Sequence, residues 1–386
     1  MDSEDGEDTL NFLGSLGVKT QKHKKRRSLR LVFMTKQSRK HLPYDSLRTA
    51  FQPHLELHAT RLTVLCALIF GMITSRSVVL YTLVSHVALP GSFDVKFKRL
   101  KRFMQFNLPD TLIASLVFRL LPRGKHWLIV DRTHWTLGKA NINVLLLSVV
   151  WQRFSLPLLW TVFPKSGNSS QLERTTLLER LLPLVPKGDT LGLMGDREFI
   201  GAIWFKFLRQ HKIEICIRLK SDTRVNGIKV QGCFCKMEIN EIRYWHQAMK
   251  LYGVKMRVMA TRCLDGSMLY LAYQGRHQEG LRHYAQRWQC ENLHQSLKGR
   301  GFNLEDSHIT HPARVSTLLG VVSLAFIWCC LTGAWRSVKE PLKALKHGYN
   351  QKSIFRYGLD LLQEAILHPQ SAARRRLSTL AQLFDP

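Results

Sequence analysis

Three acidic residues sit where a fold could gather them into a reactive cluster. Asp131 follows the apolar run Trp127-Leu128-Ile129-Val130, Asp196 follows a short apolar run from Thr190 to Met194, and Glu291 lies within the stretch Tyr284 to Lys298. Two neighbouring strand ends with a helix laid across them can bring three carboxylates within a few ångström. Like charges that close repel one another unless a cation intervenes, so the cluster implies a metal site. Hard oxygen donors favour Mg²⁺ or Mn²⁺ over zinc. Two such ions about 4 Å apart could activate a water or a 3′-hydroxyl and stabilise the leaving oxygen of an in-line phosphoryl transfer. Singly, each Asp fits a turn or helix cap as well as it fits catalysis. The inference rests on the three together.

The stretch around Glu291 reads as a helix. At about 100° per residue, Tyr284, Arg287, Glu291 and Lys298 project within an arc of roughly 60°, flanked by Trp288 and His294. The opposite side collects Ala285, Cys290, Leu293 and Leu297, an apolar stripe that can pack on a core. A solvated face with ordinary i,i+3 and i,i+4 pairs has the same pattern. What favours chemistry is the company of the other two acids.

The positioning elements can be read in chain order. Residues 1–42 pass from Asp2, Glu4, Asp5, Glu7 and Asp8 into a dense run of Lys and Arg, which predicts a disordered acidic and basic arm. From 43 to 121 apolar residues recur at helical spacing through 62–73, 78–87 and 112–121, which predicts an all-helical domain; the basic run Lys96 to Arg102 within it suits a duplex backbone. Residues 122–334 then change period. Strands are expected at 127–130, 143–150 and 156–163, then a helix opened by the capping box Ser170-x-x-Glu173, a strand at 190–194, a helix near 204–210 and a strand at 213–219. That order predicts an α/β, ribonuclease-H-like mixed sheet. Residues 221–279 read as an inserted β subdomain, with Asp265-Gly266 as a hairpin turn. Residues 335–386 read as a basic helical C-terminal tail.

Composition constrains the partner. The 386 residues are 45% hydrophobic, enough to bury a large core, and carry a formal net charge of +29. Such an excess points to a polyanion, double-stranded DNA ahead of a membrane. Eight cysteines lack paired CxxC knuckles, the usage expected of reduced thiols in a cytoplasmic protein, and they read as structural. The apolar run Val315 to Ala334 is long enough to span a bilayer, but its Ser, Thr and Gly residues and its place after the reactive stretch favour a buried core helix.

The spacing Tyr284-x2-Arg287-x3-Glu291-x6-Lys298 resembles the YREK signature of cut-and-paste DDE transposases of bacterial insertion sequences, the insertion-sequence-four type. Asp131-Arg132-Thr133 and Gly195-Asp196-Arg197-Glu198 resemble that family's first and second acid motifs, and Trp288 and His294 are similar to it as well. The resemblance spans roughly residues 120–335. It implies Mg²⁺-dependent cleavage at element ends and strand transfer into target DNA, with Asp131, Asp196 and Glu291 as ligands. Tyr284, Arg287 and Lys298 would grip phosphates near the cut, with Trp288 and His294 beside them. It further implies a homodimer on DNA and a nucleoid location. Some relatives pass through a DNA hairpin held by a stacking tryptophan, for which Trp245 and Trp288 are candidates, although core packing is the expected role of both. Two alternatives use the same residues: a metal-dependent nuclease without strand transfer, and a non-catalytic DNA-binding regulator.

Overall fold

The computed structural model describes residues 42, 44–276, 278–345, 350–368 and 371–385; the expected arm lies outside them except for Leu42. Five helices come first: α1 (Asp45–Phe51), α2 (Ala59–Ser75), α3 (Leu80–His86), α4 (Phe93–Met104) and α5 (Thr111–Leu120). The basic run falls on α4, which buries Leu100, Phe103 and Met104 and exposes Lys98, Arg99, Lys101 and Arg102. One face packs and the other carries charge, as helical periodicity requires.

Three long strands follow, β1 (Lys125–Leu137), β2 (Ala140–Trp151) and β3 (Phe154–Phe163), paired antiparallel. Helix α6 (Gln171–Leu181) opens on the expected capping box, with Ser170 and Glu173 each satisfying the other's backbone N–H. Then come β4 (Thr190–Gly195), α7 (Ala202–Gln210) and β5 (Glu214–Leu219). Strands β1, β4 and β5 pair in parallel, so the order β3-β2-β1-β4-β5 is the expected ribonuclease-H-like sheet.

The inserted strands do not stand apart from that sheet. A small hairpin of β6 (Arg224–Val225) and β7 (Ile228–Lys229) and a single turn, α8 (Val230–Cys233), precede β8 (Ile242–Tyr244), β9 (Met249–Leu251), β10 (Val254–Arg262) and β11 (Met268–Tyr273). Strand β11 pairs with β5, β10 with β11, and β8 and β9 with β10, extending the sheet to nine strands. The Asp265-Gly266 turn joins β10 to β11 with Gly266 at φ +79°.

The chain closes with α9 (Glu279–Ala285), α10 (Trp288–Leu297), α11 (Pro312–Lys339), α12 (Ile354–Leu367) and α13 (Ser371–Ala381). Helix α11 has a window of mean hydropathy 2.1, long enough to cross a membrane, yet 94% of that window is buried inside the fold. It packs on β3, α2 and α12, and a side chain at Gly358 would run into the Cys329 carbonyl, so the α11–α12 approach demands glycine. The C-terminal helices also reach the N-terminal ones: Phe51 meets Phe384 at 4.7 Å between ring centroids, and Arg76 pairs with Asp360 at 3.1 Å.

The β1–β4 pair that carries Asp131 and Asp196 is fastened at its far end by Asp189. One carboxylate oxygen accepts from Gly124 N at 3.1 Å and Arg123 Nε at 2.8 Å, and the other meets His126 Nε2 at 2.8 Å. Along the pair, Trp127 lies flat on Gly192, where a Cβ would come within 2.5 Å of the ring. Partial burial alone would raise the Asp189 carboxyl, but the bonds from Arg123, His126 and Gly124 hold it below the ordinary range. A depressed carboxyl contributes stability above its unfolded pKa, about 3.9, which is lost as pH falls through the folded value. Asp189→Asn is therefore expected to cost about 1.5–3 kcal/mol at neutral pH, and its deficit against wild type should shrink in acid below pH ~4. Denaturant melts across pH check this; a deficit that persists undiminished in acid would contradict it.

Candidate active site

Asp131 is the first residue of β1 to lose a neighbour. The parallel pairing with β4 ends at Val130↔Gly195, while the antiparallel pairing with β2 runs on to Leu137↔Ala140. The strand therefore does not stop at Asp131, as its apolar run suggested; it continues for six more residues, and the sheet splits there instead. Chain entering this split from β4 supplies Asp196. Catalytic side chains of open α/β sheets gather at such carboxyl ends of parallel strands.

The turn carrying Asp196 is held on three sides. Asp196 Oδ1 accepts from Arg197 N at 2.7 Å. Glu198 takes the Arg132 guanidinium in a fork, at 3.3 Å to Nε and 3.2 Å to Nη2. Phe199 is buried beneath the guanidinium of Arg174, 5.1 Å from the ring, which itself donates to Ser169 O at 2.6 Å. Arg218 on β5 adds a cation 3.8 Å from Asp196.

The stretch Tyr284 to Lys298 is two helices, not one. Between α9 and α10 the hydrogen bonds tighten to i→i−3: Gln286 N to His283 O, Arg287 N to Tyr284 O, Gln289 N to Gln286 O and Cys290 N to Arg287 O, all 2.9–3.0 Å. Gln286 and Arg287 hold 3₁₀-like angles there. The uniform helical wheel thus fails at the junction, and Ala285, expected in the apolar stripe, is exposed, while Cys290, Leu293 and Leu297 are buried as expected.

The junction delivers Arg287 between the acids. Its Nη2 lies 2.5 Å from Glu291 Oε1 and its Nη1 3.4 Å from Asp131 Oδ2. Burial opposes the charge of Arg287, but Tyr284, Asp131, Glu291 and Asp196 together outweigh it and hold the guanidinium firmly protonated. Burial pushes the Asp131 carboxyl up to about 6 against the pull of the Arg132 N–H and Arg287, with the carboxylates of Asp196 and Glu198 pushing it further. Tyr284 is buried beside them, its ring 5.7 Å from the Arg287 guanidinium, and burial raises its hydroxyl to about 12 against the pull of Arg287.

The remaining expected residues disperse. Lys298 caps α10 and reaches Glu305 at 2.6 Å and the Trp135 ring at 5.5 Å, on the cleft that Glu291 also lines. Trp288 is 61% exposed, which overturns its expected core packing; Trp245 does pack, with Phe234 at 5.9 Å. His294 turns inward, its Nδ1 4.0 Å from Asp131 and its Nε2 3.8 Å from Cys290 Sγ; burial, then Lys298 and Arg287, lower it to about 4. An open cleft of about 530 Å³ is lined by Glu291, His294, Lys298 and Arg300. Arg218 and Glu198 were not singled out as site residues from sequence. A charge within the otherwise apolar run of β5 was the available signal for Arg218.

Residues 122–328 match the transposase DDE domain. The chain belongs to the transposase DDE domain family. No curated protein sequence matches it. Among solved structures it is similar to the piggyBac transposase in a synaptic complex with hairpin DNA, at 12% identity over 83% of this chain and 73% of that one, with a TM-score of 0.45. It is also similar to an endonuclease V from Bacillus subtilis, at 14% identity over 62% of this chain and 94% of that one, with a TM-score of 0.25. DDE transposases work with divalent ions; among the described residues the group whose ligand atoms lie within 4.8 Å of one another is Asp131, Cys290 and His294, while Glu291 meets Asp131 through Arg287 and Asp196 stands beside Arg218. The acids are hard oxygen donors, and the charge of Asp131, the buried one, is countered by Arg287.

If Arg287 is what holds the acids together before any ion arrives, Arg287→Gln should lower the stability of the metal-free protein by about 3 kcal/mol. Added Mg²⁺ should return part of that loss. Thermal melts with chelator and with Mg²⁺ measure both, and an unchanged metal-free melting temperature would refute the role.

Proposed function

We propose that this chain is a DNA transposase of the insertion-sequence-four type, cutting at the ends of its element and joining them to target DNA. The observation that supports this reading is the Arg287 guanidinium held between Asp131 of β1 and Glu291 of α10, with Asp196 at the end of β4 near enough to favour its charge. Asp131, Asp196 and Glu291 are the proposed catalytic residues and metal ligands, for Mg²⁺ or Mn²⁺, with two ions. Bound there, the ions supply activation of a water or 3′-hydroxyl and charge for the leaving oxygen.

The chain's own residues do the rest. The Arg132 N–H, 2.8 Å from Asp131 Oδ1, fixes one oxygen and leaves the other toward the site. Arg287, once the charge of Asp131 and Glu291 is met by an ion, and the Tyr284 hydroxyl beside it are the proposed donors to a phosphate beside the scissile one, a geometry suited to Arg in particular. Lys298 reaches phosphate by leaving Glu305, itself 45% exposed and so a weak hold. Trp288, exposed at the start of α10, offers a stacking face worth about 1–3 kcal/mol to an unpaired base. His294 stands beside Asp131 at 4.0 Å and lines the open cleft with Glu291. The exposed cations of α4 suit duplex backbone. The proposed partner is double-stranded DNA, bound by a homodimer, in the cytoplasm at the nucleoid.

Glu291→Gln should abolish cleavage of DNA bearing the element ends by about 10³-fold or more, with end binding kept. Lys298→Ala should weaken binding alike on all sequences and reduce the salt slope by about 1. Gel-shift and nicking assays in Mg²⁺ read both, and a Glu291→Gln protein that cuts like wild type ends this assignment.

A further inference from the structure

Behind the acids lies a second, chemically different donor set. Cys290 and His294 are four residues apart on α10, so their side chains stack on one helix face, and they meet at 3.8 Å from Sγ to Nε2. Asp131 of β1 closes the group: among the described residues these three place one ligand atom each within 4.8 Å of one another. Two ligands about 2.0–2.3 Å from a tetrahedral zinc stand roughly 3.5 Å apart, close to the 3.8 Å between Cys290 Sγ and His294 Nε2, with Asp131, within 4.8 Å of both, needing a small inward shift. Ser148 on β2 points its hydroxyl at Cys290 Sγ from 3.8 Å, a donor aimed at the sulfur. His294 lines the open cleft, which gives an ion a path in.

We propose that Cys290, His294 and Asp131 form a site for a borderline-soft divalent ion, zinc above all, distinct from the hard-ion site of Asp131, Asp196 and Glu291. Sulfur and imidazole donors select zinc or cobalt, whereas three carboxylates select magnesium or manganese. Binding forms a metal–sulfur bond and releases the Cys290 proton to solvent, with water completing the tetrahedron. The carboxylate of Asp131 is common to both sets, so an ion held by Cys290 and His294 takes Asp131 from the other acids. The soft site itself stands on its own donors; only this competition rests on the transposition reading.

Cobalt is the probe. The metal-free full chain titrated with Co²⁺ should develop a near-ultraviolet thiolate-to-cobalt absorption that saturates at one equivalent and is chased by Zn²⁺. Cys290→Ser should abolish the band, His294→Gln should weaken cobalt affinity at least about tenfold, and Glu291→Gln and Cys235→Ser should keep it. A band retained in Cys290→Ser, or lost in Glu291→Gln, overturns the proposal. X-ray absorption of the zinc-loaded wild-type chain needs no variant: one sulfur near 2.3 Å is expected, and a shell of oxygen and nitrogen alone overturns it. None of these readouts passes through DNA, so their failure and a failure to cleave are separable.

Discussion

The arrangement depends on one electrostatic constraint: Asp131 is largely buried, with Asp196 and Glu198 pushing its carboxyl up further, and its charge must be met from within the chain. Arg287 meets it. A single guanidinium can bridge Asp131 and Glu291 because its planar fork offers donors in two directions, which an ammonium on a flexible stem does not. Its position follows from the tightened turn between α9 and α10. On a continuous helix Arg287 and Glu291 would still be i,i+4 neighbours, but the buried Tyr284 could not sit beneath the guanidinium on a separate helix axis.

The scaffold holds those acids with means suited to each. Asp131 is fixed by sheet register, since β1 is paired on both sides from Leu128 to Val130 and with β2 alone beyond it. Asp196 lies on a turn that no ladder holds, so side chains do the work: the Glu198–Arg132 fork, Phe199 in the core and Arg174 across it. Glu291 is set by the packing of Leu293 and Leu297 beneath α10. Behind all three, α11 lies buried against β3 and the terminal helices, which accounts for its apolar length without any bilayer.

How much of this was legible in the sequence varies with the kind of signal. The strands of the core, the capping box at Ser170 and the Asp265-Gly266 turn announce themselves through local chemistry, and each forms close to where it was expected. The break at Gln286–Arg287 carries no Gly or Pro; a change of hydrogen-bond partner from i−4 to i−3 leaves no mark in residue type. The continuation of β1 past Asp131 was hidden because Arg132 to His134 look like a polar turn, yet they pair with β2. Likewise the insertion joins the main sheet through β11 and β5, a long-range pairing invisible to local pattern. Trp288 illustrates the converse: large and apolar, it was expected inside, but α10 buries the face of Cys290 and Leu293 and leaves Trp288 outside.

The same internal pairing shapes how such a site can meet a polyanion. Arg287 is bound to Asp131 and Glu291, Arg218 stands near Asp196, and Lys298 pairs with Glu305. The cations nearest the acids are therefore already engaged, and a phosphate gains only the difference between its contact and the pair it displaces. For Lys298 that difference is favourable, because Glu305 is largely exposed and its pairing is worth little. For Arg287 it is unfavourable while the acids lack another cation, since removing the guanidinium strands buried carboxylates. Charge supplied to the acids from elsewhere reverses the sign, freeing a rigid bidentate donor at the place where a phosphate would lie. On the proposed reading, metal binding and phosphate binding would be coupled through this one side chain, by its position between Asp131 and Glu291 rather than by any motion of the fold.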